Sequence, residues 1–422
     1  MNYLIGYFLS LFWLFLDLVS GESTRADILA DLLTNYSSKI APNFNQDNPT
    51  NVTVELHINS FDSVSEMDMD FSLNMLITQN WRDDRLTFKD PLHKIPFLEL
   101  DPKNMGAVWV PDLYFVNEKS AAFHEVTVPN KLMHIYENGT IIYSARVTMT
   151  ATCSMQLQKF PMDTQICSLY IKSFTYTTEN VLLDWKGKNA VTLDPDFELP
   201  QFELEKDVRL FDCTNRTPDD YTCLEAKFVL KRHLGYYVIQ IYVPCVMIVM
   251  LSWVSFWLYV DSVPARISLG ILTVLTMTTQ NDSAQGNLPK VSYIKAIDVW
   301  NFLCLVFVFS ALLEYSIVNY LSRKRLKLAQ RSANPRQTAE DDDDDYGLST
   351  CGCNFTKKYV CGSSRTKPIT YVYVPDEEAR KRAVSIDKIC RWVFPTVFFV
   401  LFSVYWLFYL LWAGPESRAP PY

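Results

Sequence analysis

The chain has 422 residues, of which 49% are hydrophobic, and a formal net charge of -8. The length predicts two or more domains. The charge is distributed too unevenly to indicate one acidic or basic partner surface, so no nucleic-acid partner is expected. Hydropathy divides the chain, because residues 22–230 have the composition of soluble protein whereas most of residues 235–320 and 389–413 do not.

The N-terminal part of the chain has the features of an exported domain. Residues 3–19 are apolar and end in small residues, which predicts a signal peptide over residues 1–21. A membrane anchor is the alternative. Four Asn-X-Ser/Thr sequons agree with export and are candidate glycosylation sites. They are Asn35, Asn51, Asn138 and Asn215.

Short segments of alternating apolar and polar residues dominate the exported region of residues 22–234. Examples are residues 52–58, 71–77 and 141–149, each followed by turn-forming residues. Regularly spaced short strands without helices between them are typical of a β-sandwich. We therefore expect this region to fold as one sandwich domain.

Long apolar runs predict the membrane-spanning part of the chain, with three helices in residues 235–321 and a fourth in residues 389–413. Lysine and arginine residues follow the third helix and precede the fourth, which places residues 322–388 in the cytosol. We expect that linker to be largely disordered, with a helix near its end. Both termini, including a tail of residues 414–422, are then outside the cell.

The second of these helices is apolar but carries serine and threonine at helical intervals, and its one charge in residues 262–280 is Arg266. Hydroxyl groups suit a helix that lines water inside a membrane, and an arginine at its start would favour anions. Counted from Arg266 with a period of 3.6 residues, one face is formed near the following side chains. They are Ser268, Leu272, Leu275, Thr279 and either Asp282 or Ser283.

Cys153 and Cys167 enclose a segment that contains Phe160-Pro-Met-Asp163. This pattern resembles the signature loop of the Cys-loop receptors, which are pentameric ligand-gated ion channels. The resemblance continues through Trp109-Val-Pro-Asp112, Gly235-Tyr-Tyr and Pro264-Ala-Arg266 to nearly the whole chain. It is greatest to the anion-selective branch and its glycine receptors, and suggests an invertebrate member.

The resemblance implies an extracellular, immunoglobulin-like β-sandwich joined to a four-helix transmembrane bundle, assembled as a homo- or hetero-pentamer. It implies disulfide bonds between Cys153 and Cys167 and between Cys213 and Cys223. The implied partners are a small-molecule agonist, chloride ions, the lipid bilayer and four further subunits, the same or related. The implied location is the plasma membrane, with a synapse as one option. No cofactor or metal site is expected, because His124 matches one zinc-inhibiting histidine of glycine receptors while Ala122 replaces the other.

In the pore, the resemblance assigns Pro264, Ala265 and Arg266 to the cytosolic mouth. Cation-selective relatives carry glutamate at the position of Ala265, so an anion channel is expected. Leu275 matches the hydrophobic gate, and Leu272 replaces the threonine of glycine receptors. Two apolar rings one turn apart predict a drier closed pore and weak block by picrotoxin.

The resemblance places an agonist site between subunits and a coupling region at the base of the sandwich. The implied ligand-binding residues are Leu76, Thr78, Tyr114, Phe115, Ser144, Arg146, Lys172, Ser173, Phe174 and Tyr221. The implied gating residues are Phe160, Pro161, Asp163, Arg232, Pro289 and Lys290. An arginine that holds the agonist carboxylate in glycine receptors is Thr78 here, and a glutamate is Lys172, so glycine is a doubtful agonist.

Several functions stay open at this point. An amine, protons or a metal ion could replace an amino acid as the agonist, with Asp219 or Asp220 as partners of an amine. The chain could instead be an accessory subunit of a heteromeric channel. A surface receptor that signals through its linker is less compatible with the hydroxyl-bearing helix. An enzyme is not expected, because no nucleophile–base set or phosphate loop stands out.

Overall fold

The computed structural model describes residues 25–44, 48–89, 96–195, 199–214, 220–286, 288–323, 326–330, 371–375 and 377–411. The predicted signal peptide, the sequon at Asn215, the residue Asp219 and the C-terminal tail lie outside these ranges. The described chain divides into a β-sandwich unit and a helical unit, as the sequence predicted.

The sandwich unit begins with helix α1 (Arg25–Leu33) and contains two sheets. The eight-stranded sheet has the order β10-β1-β2-β7-β6-β3, with β5 paired to β7 and β9 paired to β1. Its strands are β1 (Thr50–Ser65), β2 (Asp70–Arg82), β3 (Phe97–Leu100), β5 (Glu118–Phe123), β6 (Lys131–Tyr136), β7 (Thr140–Thr152), β9 (Val181–Trp185) and β10 (Val191–Leu193).

The five-stranded sheet has the order β11-β13-β8-β4, with β12 paired to β13. Its strands are β4 (Leu113–Phe115), β8 (Thr164–Ser173), β11 (Phe202–Leu204), β12 (Arg209–Asp212) and β13 (Cys223–Arg232). Side chains of a strand point alternately to its two faces, and this alternation explains the core. In β2 every second residue from Phe71 to Trp81 is buried. Phe71 and Phe228 of the two sheets lie 6.2 Å apart between ring centroids, so the two inner faces form one apolar layer.

Both predicted disulfide bonds are present. The bond between Cys153 and Cys167 joins the end of β7 to β8 with the two Cα atoms 5.2 Å apart. The bond between Cys213 and Cys223 joins the end of β12 to the start of β13, with the Cα atoms 4.9 Å apart. Closing a loop of the first size is worth about 3 kcal/mol through the entropy of the unfolded chain.

The described residues of the helical unit form four long helices. They are α2 (Gly235–Trp257, which includes a π-helical turn at Val238–Tyr242), α3 (Val263–Gln285), α4 (Ala296–Arg323) and α5 (Glu377–Leu411). Within the described residues, α2, α4 and α5 are long and apolar enough to cross a membrane, whereas α3 is more polar. Two short strands, β14 (Leu326–Gln330) and β15 (Tyr371–Pro375), pair in antiparallel orientation between α4 and α5.

Aromatic side chains hold α2, α4 and α5 together. Trp300 of α4 is fully buried and lies 5.1 Å from Tyr242 and 5.3 Å from Tyr405, measured between ring centroids. The hydroxyl groups of Tyr242 and Tyr405 lie 2.9 Å apart, and Tyr405 also donates to the Ala296 carbonyl at 3.1 Å. The paired hydroxyls satisfy polar atoms that would otherwise be costly in an apolar bundle.

Candidate functional site

Helix α3 has two different faces. Arg266, Thr273 and Met277 are buried, and a Cβ added to Gly270 would lie 2.5 Å from the Leu312 side chain of α4. These positions recur at helical spacing and form the face that packs inside the unit. The opposite face is exposed in the single chain and carries Ala265, Ser268, Leu272, Leu275, Thr279, Asp282 and Ser283.

The exposed face of α3 is suited to contact water, because it carries hydroxyl groups on a helix that is otherwise mostly apolar. The hydroxyls of Thr276, Thr278 and Thr279 donate to main-chain carbonyls one turn earlier, at 2.8, 2.8 and 2.9 Å. Their hydrogen atoms are therefore satisfied within the helix, and their lone pairs stay available on the surface. Leu272 and Leu275 lie between these hydroxyl groups and Ser268, so an apolar section separates two polar sections.

The structure corrects the predicted position of Arg266. Its side chain is fully buried, and the guanidinium donates to both carboxylate oxygens of Asp387 on α5 at 3.2 and 2.6 Å, and also to the Leu258 carbonyl. In the single chain Arg266 therefore lies on the buried face of α3, away from the exposed face that the sequence assigns to the pore. At 100° per residue, position 266 lies about 200° around the helix from Ser268, so the two cannot share a face.

The five-stranded sheet brings together part of the predicted ligand site. Tyr114 of β4 and Phe174, which follows β8, form an edge-to-face pair with centroids 5.5 Å apart, and both side chains are exposed. Lys172 lies directly between Tyr114 and Cys223 in the sheet register. Tyr221 is half-buried and lies two residues before the first residue of β13. These side chains form one surface beside the Cys213–Cys223 disulfide.

Two of the predicted ligand residues lie elsewhere. Phe115 is paired with the fully buried Ile171, so it lies on the inner side of the sheet and Tyr114 is the aromatic residue of the surface. Ser173 is buried; its hydroxyl donates to Asp112 at 2.8 Å and accepts from the Tyr176 amide at 3.2 Å. Ser173 therefore fixes the turn that carries Phe174, and its hydroxyl is already occupied.

The eight-stranded sheet brings together the other predicted ligand residues. Thr78 of β2 and Ser144 of β7 are cross-strand partners whose hydroxyls lie 2.7 Å apart. Leu76 is paired with Arg146, and the Arg146 guanidinium donates to Asn74 at 3.1 Å. One of these hydroxyls donates to the other, and Arg146 is the charged side chain among these four predicted ligand residues.

The predicted gating residues of the sandwich form a buried ion network. The Arg232 guanidinium donates to Asp163 at 2.8 and 3.2 Å and also to Glu66 in the turn between β1 and β2. It lies between the rings of Phe160 and Phe202, 4.6 and 4.4 Å from their centroids. Sequence reasoning did not identify Glu66, because nothing local to residues 65–70 predicts a partner at residue 232. Pro161 precedes Asp163 in the same loop, and Lys290 and Pro289 lie in the segment that follows α3.

A second network, which sequence reasoning also missed, fixes the start of the sandwich. The Tyr36 hydroxyl donates to Asp83 at 2.8 Å and accepts from the Trp109 amide at 3.2 Å. Arg85 donates to both oxygens of Asp83 at 2.9 and 2.8 Å. Burial raises the pKa of the Tyr36 phenol above its ordinary value. The hydrogen bond from Arg85 to Asp83 raises the pKa of the Arg85 guanidinium.

The sequons that the structure describes are accessible. Asn35, Asn51 and Asn138 are all exposed, and the Asn138 side chain accepts from the Thr140 amide at 3.0 Å. His124 contacts the Thr148 hydroxyl at 2.7 Å. Within the described residues, no cluster of three or more His, Cys, Asp or Glu side chains is arranged to hold a metal ion.

Comparison with protein families agrees with this arrangement of a sandwich and a helical membrane unit. The family of neurotransmitter-gated ion-channel ligand-binding domains matches residues 25–234. The family of neurotransmitter-gated ion-channel transmembrane regions matches residues 241–343. Together the two matches include both sheets of the sandwich, both disulfides, most of α2, and all of α3 and α4. The chain belongs to the neurotransmitter-gated ion channels, the Cys-loop receptor family, and is a membrane-spanning channel subunit and not an enzyme.

Proposed function

We propose that this subunit forms an anion channel opened by a small-molecule agonist other than glycine. The observation that carries anion selectivity is the exposed face of α3. From Pro264 to Thr279 this face carries no carboxylate, and the first turn of the helix contains no acidic residue. Channels of this family are pentamers, so five such faces would surround the pore.

The positive potential at the pore mouth does not come directly from the Arg266 side chain, which the sequence had predicted as its source. Arg266 is neutralised by Asp387, so its charge does not act on the pore directly. The helix N-terminus remains, with Pro264 and Ala265 exposed at its first positions. Unpaired main-chain N–H groups and the helix dipole give this end a partial positive charge. The two carboxylates nearest this end are paired, Asp261 with Arg380 and Asp387 with Arg266. Five N-termini whose first turns carry no carboxylate favour anions over cations.

An ion-substitution experiment tests selectivity. Current through the full chain should reverse at the chloride potential, and Ala265→Glu should shift the reversal toward the sodium potential because it adds five carboxylates at the N-terminal mouth. Gln285→Glu, at the opposite end of the same helix, is the matched control and should preserve chloride selectivity. Reversal of the unmodified channel at the sodium potential would refute the proposal.

We assign the closed gate to Leu275, with Leu272 one turn away on the same exposed face. Two apolar rings lengthen the section that water leaves when the pore is narrow. Leu272 also lacks the threonine hydroxyl on which picrotoxin block depends in relatives. Picrotoxin should block the unmodified channel weakly and the Leu272→Thr channel strongly, while Thr276→Ser, which keeps a hydroxyl one position beyond Leu275, should leave block unchanged. Strong block of the unmodified channel would contradict this assignment.

The agonist proposal follows from the charges on the two candidate faces. Lys172 is buried between Tyr114 and Cys223, and among the described residues it has no hydrogen-bond or ion-pair partner. Thr78, at the position of the carboxylate-binding arginine of glycine receptors, is already bonded to Ser144. An ammonium group beside Lys172 would be repelled, and a carboxylate near Thr78 would lack its bidentate partner. Glycine therefore fits neither face in the orientation used by glycine receptors.

Replacing Thr78 and Lys172 with the residues of glycine receptors tests whether these two positions prevent a response to glycine. Thr78→Arg together with Lys172→Glu should create a response to glycine at concentrations that do not open the unmodified channel, and each single variant should respond less than the pair. Lys231→Glu, an exposed change on the neighbouring strand, controls for the altered charge. Opening of the unmodified channel by glycine at the same concentrations would overturn the proposal. A panel of amines, amino acids, zinc and pH steps would then identify the natural agonist class.

A second candidate is an accessory subunit that requires another subunit type for a complete site. The occupied hydroxyls of Thr78, Ser144 and Ser173 favour it, because they leave few free polar groups for an agonist. Current from cells that express this chain alone would exclude it. Current that appears only after co-expression with another subunit of the family would establish it.

A further inference from the structure

The helical unit contains a small cavity where α2, α3 and α4 meet. Five polar side chains from these three helices line it, and glycine and apolar side chains form the rest of its wall. The polar side chains are Ser252, Ser255, Arg266, Thr273 and Tyr315. Measured as the space open to a sphere of the size of water, the cavity has a volume of about 10 Å³, which is on the scale of one water molecule.

Two of the five polar side chains are satisfied by their own helices. The Ser252 hydroxyl donates to the Val249 carbonyl at 2.7 Å, and the Thr273 hydroxyl donates to the Leu269 carbonyl at 2.9 Å. Serine and threonine hydroxyls in helices commonly bond to the preceding turn in this way. These two residues therefore need no further partner.

The other three polar side chains each have a buried atom without a partner, and each comes from a different helix. Within the described residues these atoms are the Ser255 hydroxyl oxygen of α2, the Arg266 Nε of α3 and the Tyr315 hydroxyl oxygen of α4. The three residues are 4%, 1% and 4% exposed. A polar group buried without a hydrogen bond is costly, and most such groups in native proteins bond to protein or to ordered water. Three of them at one cavity indicate a polar ligand that they share.

The Arg266 guanidinium determines which hydrogen bond the cavity receives from α3. Its two terminal nitrogens donate to Asp387, and one of them also donates to the Leu258 carbonyl, so Nε is the nitrogen left for the cavity. The guanidinium carbon lies 5.9 Å from the centroid of the Tyr315 ring, close enough for one small molecule to contact both groups. Because Asp387 already neutralises Arg266, the pair has no excess positive charge to hold an anion.

We propose that this cavity binds one water molecule, which joins α3 to α2 and α4. Arg266 Nε can only donate a hydrogen bond, whereas the Ser255 and Tyr315 hydroxyls can donate or accept. A water that accepts from Nε and Tyr315 and donates to Ser255 makes three hydrogen bonds, the usual number for a buried water. Water-mediated bonds are nearly as favourable as direct ones, so this bridge helps to hold the start of α3. The site depends neither on the agonist nor on the conducted ion.

Thermal unfolding of the purified full chain distinguishes a hydroxyl that bonds to water from one that is unpaired. Tyr315→Phe removes the hydroxyl and keeps the ring. Loss of a hydrogen bond to buried water should lower the melting temperature by roughly 2–4 °C, whereas loss of an unpaired hydroxyl should leave it unchanged or raise it. Tyr259→Phe, on a side chain that is 85% exposed, is the matched control and should melt as the unmodified protein does. A Tyr315→Phe protein that melts at or above the unmodified temperature would overturn the proposal.

Cryo-electron microscopy of the unmodified full chain locates the ligand directly. In a map that shows other buried waters, a peak should lie about 2.7–3.2 Å from Arg266 Nε and from the Ser255 and Tyr315 hydroxyl oxygens. The peak should remain when chloride in the buffer is replaced by gluconate. The absence of a peak from this cavity in such a map would overturn the proposal. So would a peak that disappears in gluconate, because it would identify an anion instead of water.

Discussion

Each unit contains a buried arginine, Arg232 or Arg266, and the two differ in how completely their guanidinium groups are paired. Arg232 in the sandwich lies between two aromatic rings and contacts two carboxylates, Asp163 and Glu66. Arg266 in the helical unit has one carboxylate, Asp387, and one carbonyl, while its Nε has no partner in the described chain. All three nitrogens of the Arg232 guanidinium donate to carboxylates, so the sandwich network is saturated, whereas Arg266 keeps one unused donor. A saturated network fixes a structure, and an unsaturated one can exchange partners.

Removing Arg232 should have the largest effect. Arg232→Met leaves the buried Asp163 and the half-buried Glu66 without a counter-ion, which should cost about 3–5 kcal/mol. We expect little receptor at the cell surface, measured by surface biotinylation, and a lower melting temperature of the purified full chain. Lys231→Met, an exposed neighbour on the same strand, should behave as the unmodified protein. Normal surface levels of Arg232→Met would show that the network is not structural.

Double replacements distinguish the Arg266–Asp387 pair from the Arg232 network. Arg266→Met with Asp387→Leu removes both charges of a one-to-one pair, and should recover most of the stability lost in either single variant. Arg232→Met with Asp163→Leu should recover less, because the half-buried Glu66 keeps its charge without a counter-ion. Melting temperatures of the four single and two double variants measure this difference. Equal recovery in both pairs would remove the distinction between saturated and unsaturated networks.

A smaller effect on stability is expected at Asp83, which forms an ion pair with Arg85. This pair is stronger than an exposed one because Asp83 is buried. Asp83 is fully buried and accepts from Arg85 and Tyr36, so Asp83→Asn should cost about 2 kcal/mol even though Arg85 is partly exposed. Asp84 forms a similar pair with Arg82 at 2.7 Å, but both side chains are exposed. Asp84→Asn should therefore leave the melting temperature nearly unchanged.

The smallest expected effect is an alkaline loss of sandwich stability. Burial raises the pKa of Tyr36 in the folded protein, so the folded state holds this proton more tightly than the unfolded state. That contribution is fully present below the ordinary tyrosine pKa of about 10 and is lost as pH rises above it. Tyr36→Phe should reduce the slope of stability against pH between about pH 9 and pH 11. An unchanged slope would assign the alkaline response to other groups, such as Tyr143, whose pKa is also raised by burial.

Local patterns in the sequence were sufficient for the secondary structure and for the order of side chains around α3. Alternation predicted the strands, because each strand buries one face against the other sheet. The apolar runs predicted the helices, and the helical period placed Ser268, Leu272, Leu275 and Thr279 on one face. Spacing alone could do this because these properties repeat within a single element. The cysteine pairing came from the resemblance to a family, and the structure contains both bonds.

What required the tertiary structure was the partner of each charged side chain. Arg232 and Asp163 are 69 residues apart in the chain, and Arg266 and Asp387 are 121 apart, so no local pattern connects them. The sequence identified Arg266 as the one charge of its helix and assigned it to the pore. Packing decided otherwise: α5 supplies Asp387 on the buried side, and an ion pair formed there is more stable than a charge left alone between helices. Sequence determines which groups a helix carries and their angular order, while the fold decides which of them meet.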